Sequence, residues 1–205
     1  MRELRYISAG TLEAIARRAL KQYQPNYLNQ APQAVPIEKL VEGVFGLSIE
    51  YMCLTESGEE LGRMIYDDGY TTRFNPEIDN YELVKVTAGT ILVEARLLDC
   101  PRLYGRFRFT LAHELAHWIL HKMLFVGTKT AAATYGIGNA DNDAIERQAN
   151  YLATAILMPV GQVKRGFYRL RMQTKAQANE VAVLADTFEV SKQAMEIRLN
   201  ELGLN

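Results

Sequence analysis

Residues 109–121 read Phe-Thr-Leu-Ala-His-Glu-Leu-Ala-His-Trp-Ile-Leu-His. All three histidines of the chain lie in this segment. Two of them stand four apart, within His113-Glu114-Leu115-Ala116-His117. The surrounding residues are good helix formers, and on an α-helix side chains four apart stand nearly one above the other. Such a helix aims the imidazoles of His113 and His117 at one point in space. Glu114 falls on the same polar side, about 60–100° around from the two rings. Leu111, Leu115, Trp118 and Ile119 take the opposite side and would anchor the helix in a core. The pattern predicts an amphipathic helix whose polar face is an incomplete metal site. A chance His-Glu-x-x-His is the bland alternative, against which stand the helical context, the apolar back face and the absence of histidine elsewhere.

Two neutral imidazoles suit a borderline-soft dication such as Zn²⁺, and a catalytic zinc site wants three protein ligands and one position open to water. The ion brings the pKa of that water down to about 7, so a nearby carboxylate can take its proton. Glu114, between the two rings, is placed to reach the water and not to serve as a third ligand. No Gly-x-x-His continuation follows the motif. His121 lies one turn further on, about 80° around from His113, and is read as a histidine that supports the ligands or serves packing. The third ligand is expected from another element.

That element is residues 142–158, Asn-Asp-Ala-Ile-Glu-Arg-Gln-Ala-Asn-Tyr-Leu-Ala-Thr-Ala-Ile-Leu-Met, closed by Pro159. It reads as a second amphipathic helix with Asp141 or Asn142 as its cap. Glu146, Asn150, Ala153 and Leu157 share a stripe, and Ala149 and Ala153 are small enough to let another helix come close. Glu146 is the natural third ligand, although the spacing alone fits a solvated glutamate beside Arg147 equally well.

Through Arg106–His121 and Glu146–Pro159 the chain resembles the ImmA/IrrE family of metallo-endopeptidases. The family pattern pairs an Arg-Phe-Thr-x-Ala-His-Glu-x-x-His helix with a Glu-x-x-Ala-Asn helix ending in Leu-Met-Pro. The resemblance implies zinc on His113, His117 and Glu146, with Glu114 as general base. It implies a regulatory protease whose protein substrate is a helix-turn-helix repressor, so that cleavage releases prophage, mobile-element or stress-response genes. Ala116 stands where many relatives carry Gly, and residues 67–89 look like an insertion. The alternative is a DNA- or protein-binding regulator with a vestigial metal site. The expected fold is α+β. A zincin-like peptidase domain over 1–160 holds a small, mostly antiparallel sheet and a two-helix metal site, and a C-terminal helical, helix-turn-helix-like segment covers 161–205.

A chain of 205 residues, 48% of them hydrophobic, can bury a substantial core. A net charge of −1 gives no overall field to attract nucleic acid or an anionic membrane. Cys53 and Cys100 stand far apart, in no metal-like spacing, and read as small buried hydrophobes in a reducing compartment. A zinc-blocking role for Cys100, which precedes the active helix, is the lesser reading. The first 18 residues lack an apolar run and no stretch is apolar enough to span a bilayer. A cytoplasmic protein is expected.

Helices are predicted over 11–23, with Thr11 as cap, and over 37–45, opened by Pro36 and ended by Gly46. Strands are predicted at 47–53, 62–66, 71–75, 84–86 and 91–95. An edge strand of such a sheet could pair with an extended substrate, without the sequence saying which strand that is. Residues 127–141 separate the two site helices, as a loop at the cleft or as a plain connector. Tyr135 and Tyr151 are candidate donors to a developing oxyanion. Residues 161–175 carry five basic residues and no acid. Residues 176–205 read as two helices joined at 187–191, with Glu189 where helix-turn-helix motifs usually place Gly. The second helix carries Glu196 and Glu201, which phosphates would repel, so a structural pair is favoured over a DNA reader.

Overall fold

The computed structural model describes residues 6–127, 139–173 and 179–204. Tyr135, Lys175 and nearly all of the 127–141 connector lie outside the described residues. Helix α1 (Ala9–Tyr23) starts earlier than the sequence suggests, because Ser8 has extended backbone and its hydroxyl accepts the Thr11 N–H. Ser8, not Thr11, is therefore the cap. Helix α2 (Ile37–Phe45) ends on Gly46 at φ 63°, a left-handed position that glycine adopts without strain.

Strand β5 (Thr90–Glu94), buried along its whole length, lies between β1 (Ser48–Met52) and β2 (Gly62–Met64). β1 runs parallel to β5 and β2 antiparallel, with Arg63 opposite Leu92. Residues 67–89 are mainly a hairpin of β3 (Gly69–Asn75) and β4 (Asn80–Val86), paired apart from the three-stranded sheet. Two of these three pairings are antiparallel, and the protein is mixed α+β as expected.

Helix α3 (Tyr104–Phe125) carries the histidines and packs between the sheet on one side and α4 (Asn139–Leu157) on the other. α4 starts before Asp141 and Asn142, which therefore lie inside its first turn and do not cap it. Leu111 and Leu115 of α3 are fully buried, as are Ala149 and Ala153 of α4. Burying each leucine contributes about 1.5–3 kcal/mol, and the alanines permit the close approach. α3 is not the one-sided amphipathic helix of the sequence reading. Arg108, Glu114, His117 and His121 are buried as well, because the helix has protein on both faces.

Helices α5 (Val160–Gln173), α6 (Glu180–Phe188) and α7 (Lys192–Glu201) follow Pro159. Glu189 joins α6 to α7 at φ 52°, ψ 48°. A non-glycine residue there is strained, and buried Arg108 supports it: Nε donates to the Glu189 carbonyl at 3.1 Å and the guanidinium meets its carboxylate at 3.3 Å. On α7, Arg198 is buried with Met195 and Leu199. It pairs with Glu13 of α1 at 2.6 Å and donates to the Met158 carbonyl at 3.1 Å. Among the described residues no helix is long and apolar enough to cross a membrane.

Candidate metal centre

Helical spacing puts the His113 and His117 rings 4.5 Å apart, with their Nε2 atoms 2.9 Å from each other. α4 brings Glu146 to the same point: its carboxylate oxygens lie 3.2 Å from His113 Nε2 and 3.3 Å from His117 Nε2. The three residues can offer donor atoms within 4.8 Å of one another, the one such group among the described residues. Neither Cys53 nor Cys100 belongs to it.

The far sides of both rings are engaged in a way that fixes where their protons sit. His113 Nδ1 lies 3.0 Å from Asn150 Oδ1. That oxygen accepts, so Nδ1 carries the proton and Nε2 turns a lone pair toward Glu146. Behind His117 runs a longer chain. The Gln148 amide oxygen lies 3.2 Å from His121 Nε2, and His121 Nδ1 lies 3.2 Å from His117 Nδ1. Gln148 accepts from His121 Nε2–H, His121 Nδ1 accepts from His117 Nδ1–H, and His117 Nε2 is left with a lone pair facing the site. Two imidazole lone pairs and a carboxylate converging within about 3 Å repel one another unless a cation lies among them. This donor set fits a divalent metal ion with two nitrogen ligands and one oxygen ligand.

The electrostatics agree. Burial pushes against protonation of His113, but Glu146, Glu114 and Asn150 outweigh it and hold its pKa above the ordinary imidazole value. The His113 and His117 rings, which donate to Glu146 whenever their Nε2 atoms are protonated, keep its carboxyl well below the usual range. His121 is depressed to about 4, chiefly by burial, so it stays neutral as the proton chain requires. Glu114 is raised, first by desolvation and against the pull of His113 and His117. That direction suits a carboxylate that must accept a proton near neutrality.

The group lines a cleft of about 470 Å³. The opposite wall is β2, with Gly62, Arg63 and Met64, and then Tyr66. Gly62 passes directly over Glu114: a Cβ there would lie 2.8 Å from Glu114 Oε1. Tyr151, a sequence candidate for oxyanion stabilisation, does not line this cleft; its hydroxyl donates to Glu13 at 3.4 Å. Sequence reasoning also passed over Gln148 and Tyr66 as site residues. Neither belongs to a motif, and only the packing of α4 and β2 around α3 brings them in.

Residues 104–200 match the model of the Peptidase M78 family, described as the IrrE N-terminal-like domain. No curated protein matches the sequence. Among solved structures, the fold is similar to that of a Mycobacterium tuberculosis transcriptional regulator, with a TM-score of 0.54 and 17% identity. That match covers 95% of this chain but 56% of the other, so the chain spans little more than half its length. At such identity the likeness concerns the fold alone. The matched segment contains both helices of the metal centre, and residues 104–200 form a domain similar to the Peptidase M78 family, the family of IrrE N-terminal-like domains.

Proposed function

We propose that this chain is a zinc-dependent endopeptidase acting in the cytoplasm on a protein substrate. The observation that carries the reading is the convergence of His113, His117 and Glu146 beside the buried carboxylate of Glu114. In this reading His113 and His117 bind through Nε2 and Glu146 through its carboxylate. When bound, the ion supplies Lewis-acid polarisation and a water acidic enough to ionise near neutrality. Glu114 takes a proton from the attacking water and returns it to the departing amine nitrogen. Its burial keeps competing solvent away and raises its basicity. The free edge of β2 is where an extended substrate segment is expected to lie, since β2 ends the sheet and forms the cleft wall. Residues 1–160 serve as the peptidase body and 161–205 as a helical segment packed on it. The substrate we favour is a helix-turn-helix repressor, on the strength of the sequence resemblance. The solved regulator of similar fold is in keeping with a role in transcription.

The test is incubation of the purified protein with repressors encoded beside its gene, with and without a chelator, reading fragment masses. Cleavage that the chelator abolishes is expected. Glu114→Gln should retain its metal by elemental analysis while cleavage falls by about 10²–10⁴-fold. Undiminished turnover by that variant would end the mechanism.

A further inference from the structure

Tyr66 closes the wall of the cleft that faces the donors. Its ring is held on two sides. It stacks on Trp118 with centroids 6.2 Å apart and planes 11° apart, and it packs against Phe125 at 4.9 Å. Trp118 is itself held by the Lys122 ammonium, 3.7 Å above its ring. The phenol is therefore fixed in place. Tyr66 is only 5% exposed, and its hydroxyl makes no hydrogen bond to any described residue. That hydroxyl is not among the fully buried polar atoms left without a partner, so it keeps some exposure, and the open space that Tyr66 lines is the cleft. Burial, with the Glu114 and Glu146 carboxylates nearby, raises its pKa far above the usual phenol value. It therefore remains a donor at any physiological pH.

We propose that Tyr66 is a catalytic residue that donates its O–H to the scissile carbonyl oxygen as that oxygen gains negative charge, an assignment that rests on the peptidase reading. As the water oxygen forms the new C–O bond, the carbonyl π pair moves onto oxygen, and the Tyr66 hydroxyl bonds it there. When the C–N bond breaks, that pair returns to re-form the carbonyl, and the proton held by Glu114 goes to the leaving nitrogen. Tyr66 keeps its own proton throughout, so no further reactant is needed. A fixed donor needs no reorganisation as the charge develops, which is the source of its effect.

Tyr66→Phe keeps the ring stack and removes only the hydroxyl. Two measurements on the zinc-loaded full chain test it: turnover of a fluorogenic peptide library, and calorimetric binding of N-phosphoryl-Leu-Trp, a tetrahedral oxyanion probe, against plain Leu-Trp. In Tyr66→Phe we expect kcat to fall about 10²–10³-fold with KM nearly unchanged. Phosphoryl-dipeptide affinity should fall far more than Leu-Trp affinity, while zinc content and melting temperature hold. Retention of either kcat or phosphoryl affinity overturns the assignment. So does loss of zinc or of thermal stability in Tyr66→Phe, which marks a structural role, and so does failure of the wild type to bind the probe. If the wild type cleaves no peptide but binds the probe through Tyr66, it is the peptidase reading that falls and the donor role that stands.

Discussion

His117 turns its Nε2 lone pair to the site only while Nδ1 holds the proton, and that depends on His121 and Gln148 behind it. His121→Phe keeps a ring in the pocket but removes the acceptor, freeing His117 to take the other tautomer. Metal affinity should then fall about 10–100-fold, as when other supports of metal ligands are removed. Chelator competition would measure this, and unchanged affinity would reduce His121 to packing. Acid acts on the same centre from the other side. In the metal-free protein the pKa of His113 lies above 6.5, whereas Glu146 stays ionised far into acid. Below the His113 pKa an incoming ion must therefore displace a proton from His113, and none from Glu146. Apparent affinity should be flat above the His113 pKa and fall about tenfold per pH unit below it, beginning at a higher pH than an ordinary imidazole would dictate. At this scale the sequence displayed what helical spacing dictates, namely His113, His117 and Glu114. Glu146 was readable as a candidate, and its role came only with the family resemblance. Gln148 and Tyr66 were silent because their positions depend on which elements pack together.

β2 is three residues long, yet it sets the width of the cleft. At Gly62 its backbone runs so close to α3 that a Cβ would lie 2.6 Å from Thr110 Cγ2 and 2.8 Å from Glu114 Oε1. Gly62→Ala should cost about 1–3 kcal/mol of stability, the usual range for overpacking, and should displace Glu114, the proposed general base. Adding Thr110→Ser removes one of the two clashes. Stability by chemical denaturation should then recover in part while turnover stays low, because the Glu114 clash remains. Full recovery of both would mean that the cleft wall yields and Gly62 is incidental. The helices could be read from period and punctuation: Pro36 and Gly46 bound α2 where the sequence says they should. The strands were legible as strands, but their partners were not. Nothing local says that β1 lies parallel to β5 or that β3 and β4 pair off by themselves. α3 misled for a related reason, since His117 and His121 find partners on α3 and α4, and Arg108 finds them at Val35 and Glu189, all inside the protein.

Across the whole molecule, a buried cation on the last helix ties the chain's end to its first helix. Arg198 lies between Glu13 of α1 and the Met158 carbonyl at the end of α4, with Glu201 on its own helix 3.4 Å away. The basic residues of α5 are mostly exposed, but α7 turns Arg198 inward and leaves Glu196 outward. A phosphate backbone would gain little from that face, and we propose packing as the role of the terminal helices. Only the fold shows that Arg198 has a partner 185 residues away. The pair makes the packing account testable. Glu13→Leu leaves the buried guanidinium only the Met158 carbonyl and the more distant Glu201, and breaking one side of such a pair costs up to about 3–5 kcal/mol. The double variant Glu13→Leu with Arg198→Leu removes the buried charge and should regain most of that loss, since an apolar pair of similar volume often matches a buried ion pair. Denaturant midpoints for the two single variants and the double give the coupling directly. A near-neutral Glu13→Leu, or a double variant no better than the worse single, would mean that the terminal helices do not rest on α1 through this contact.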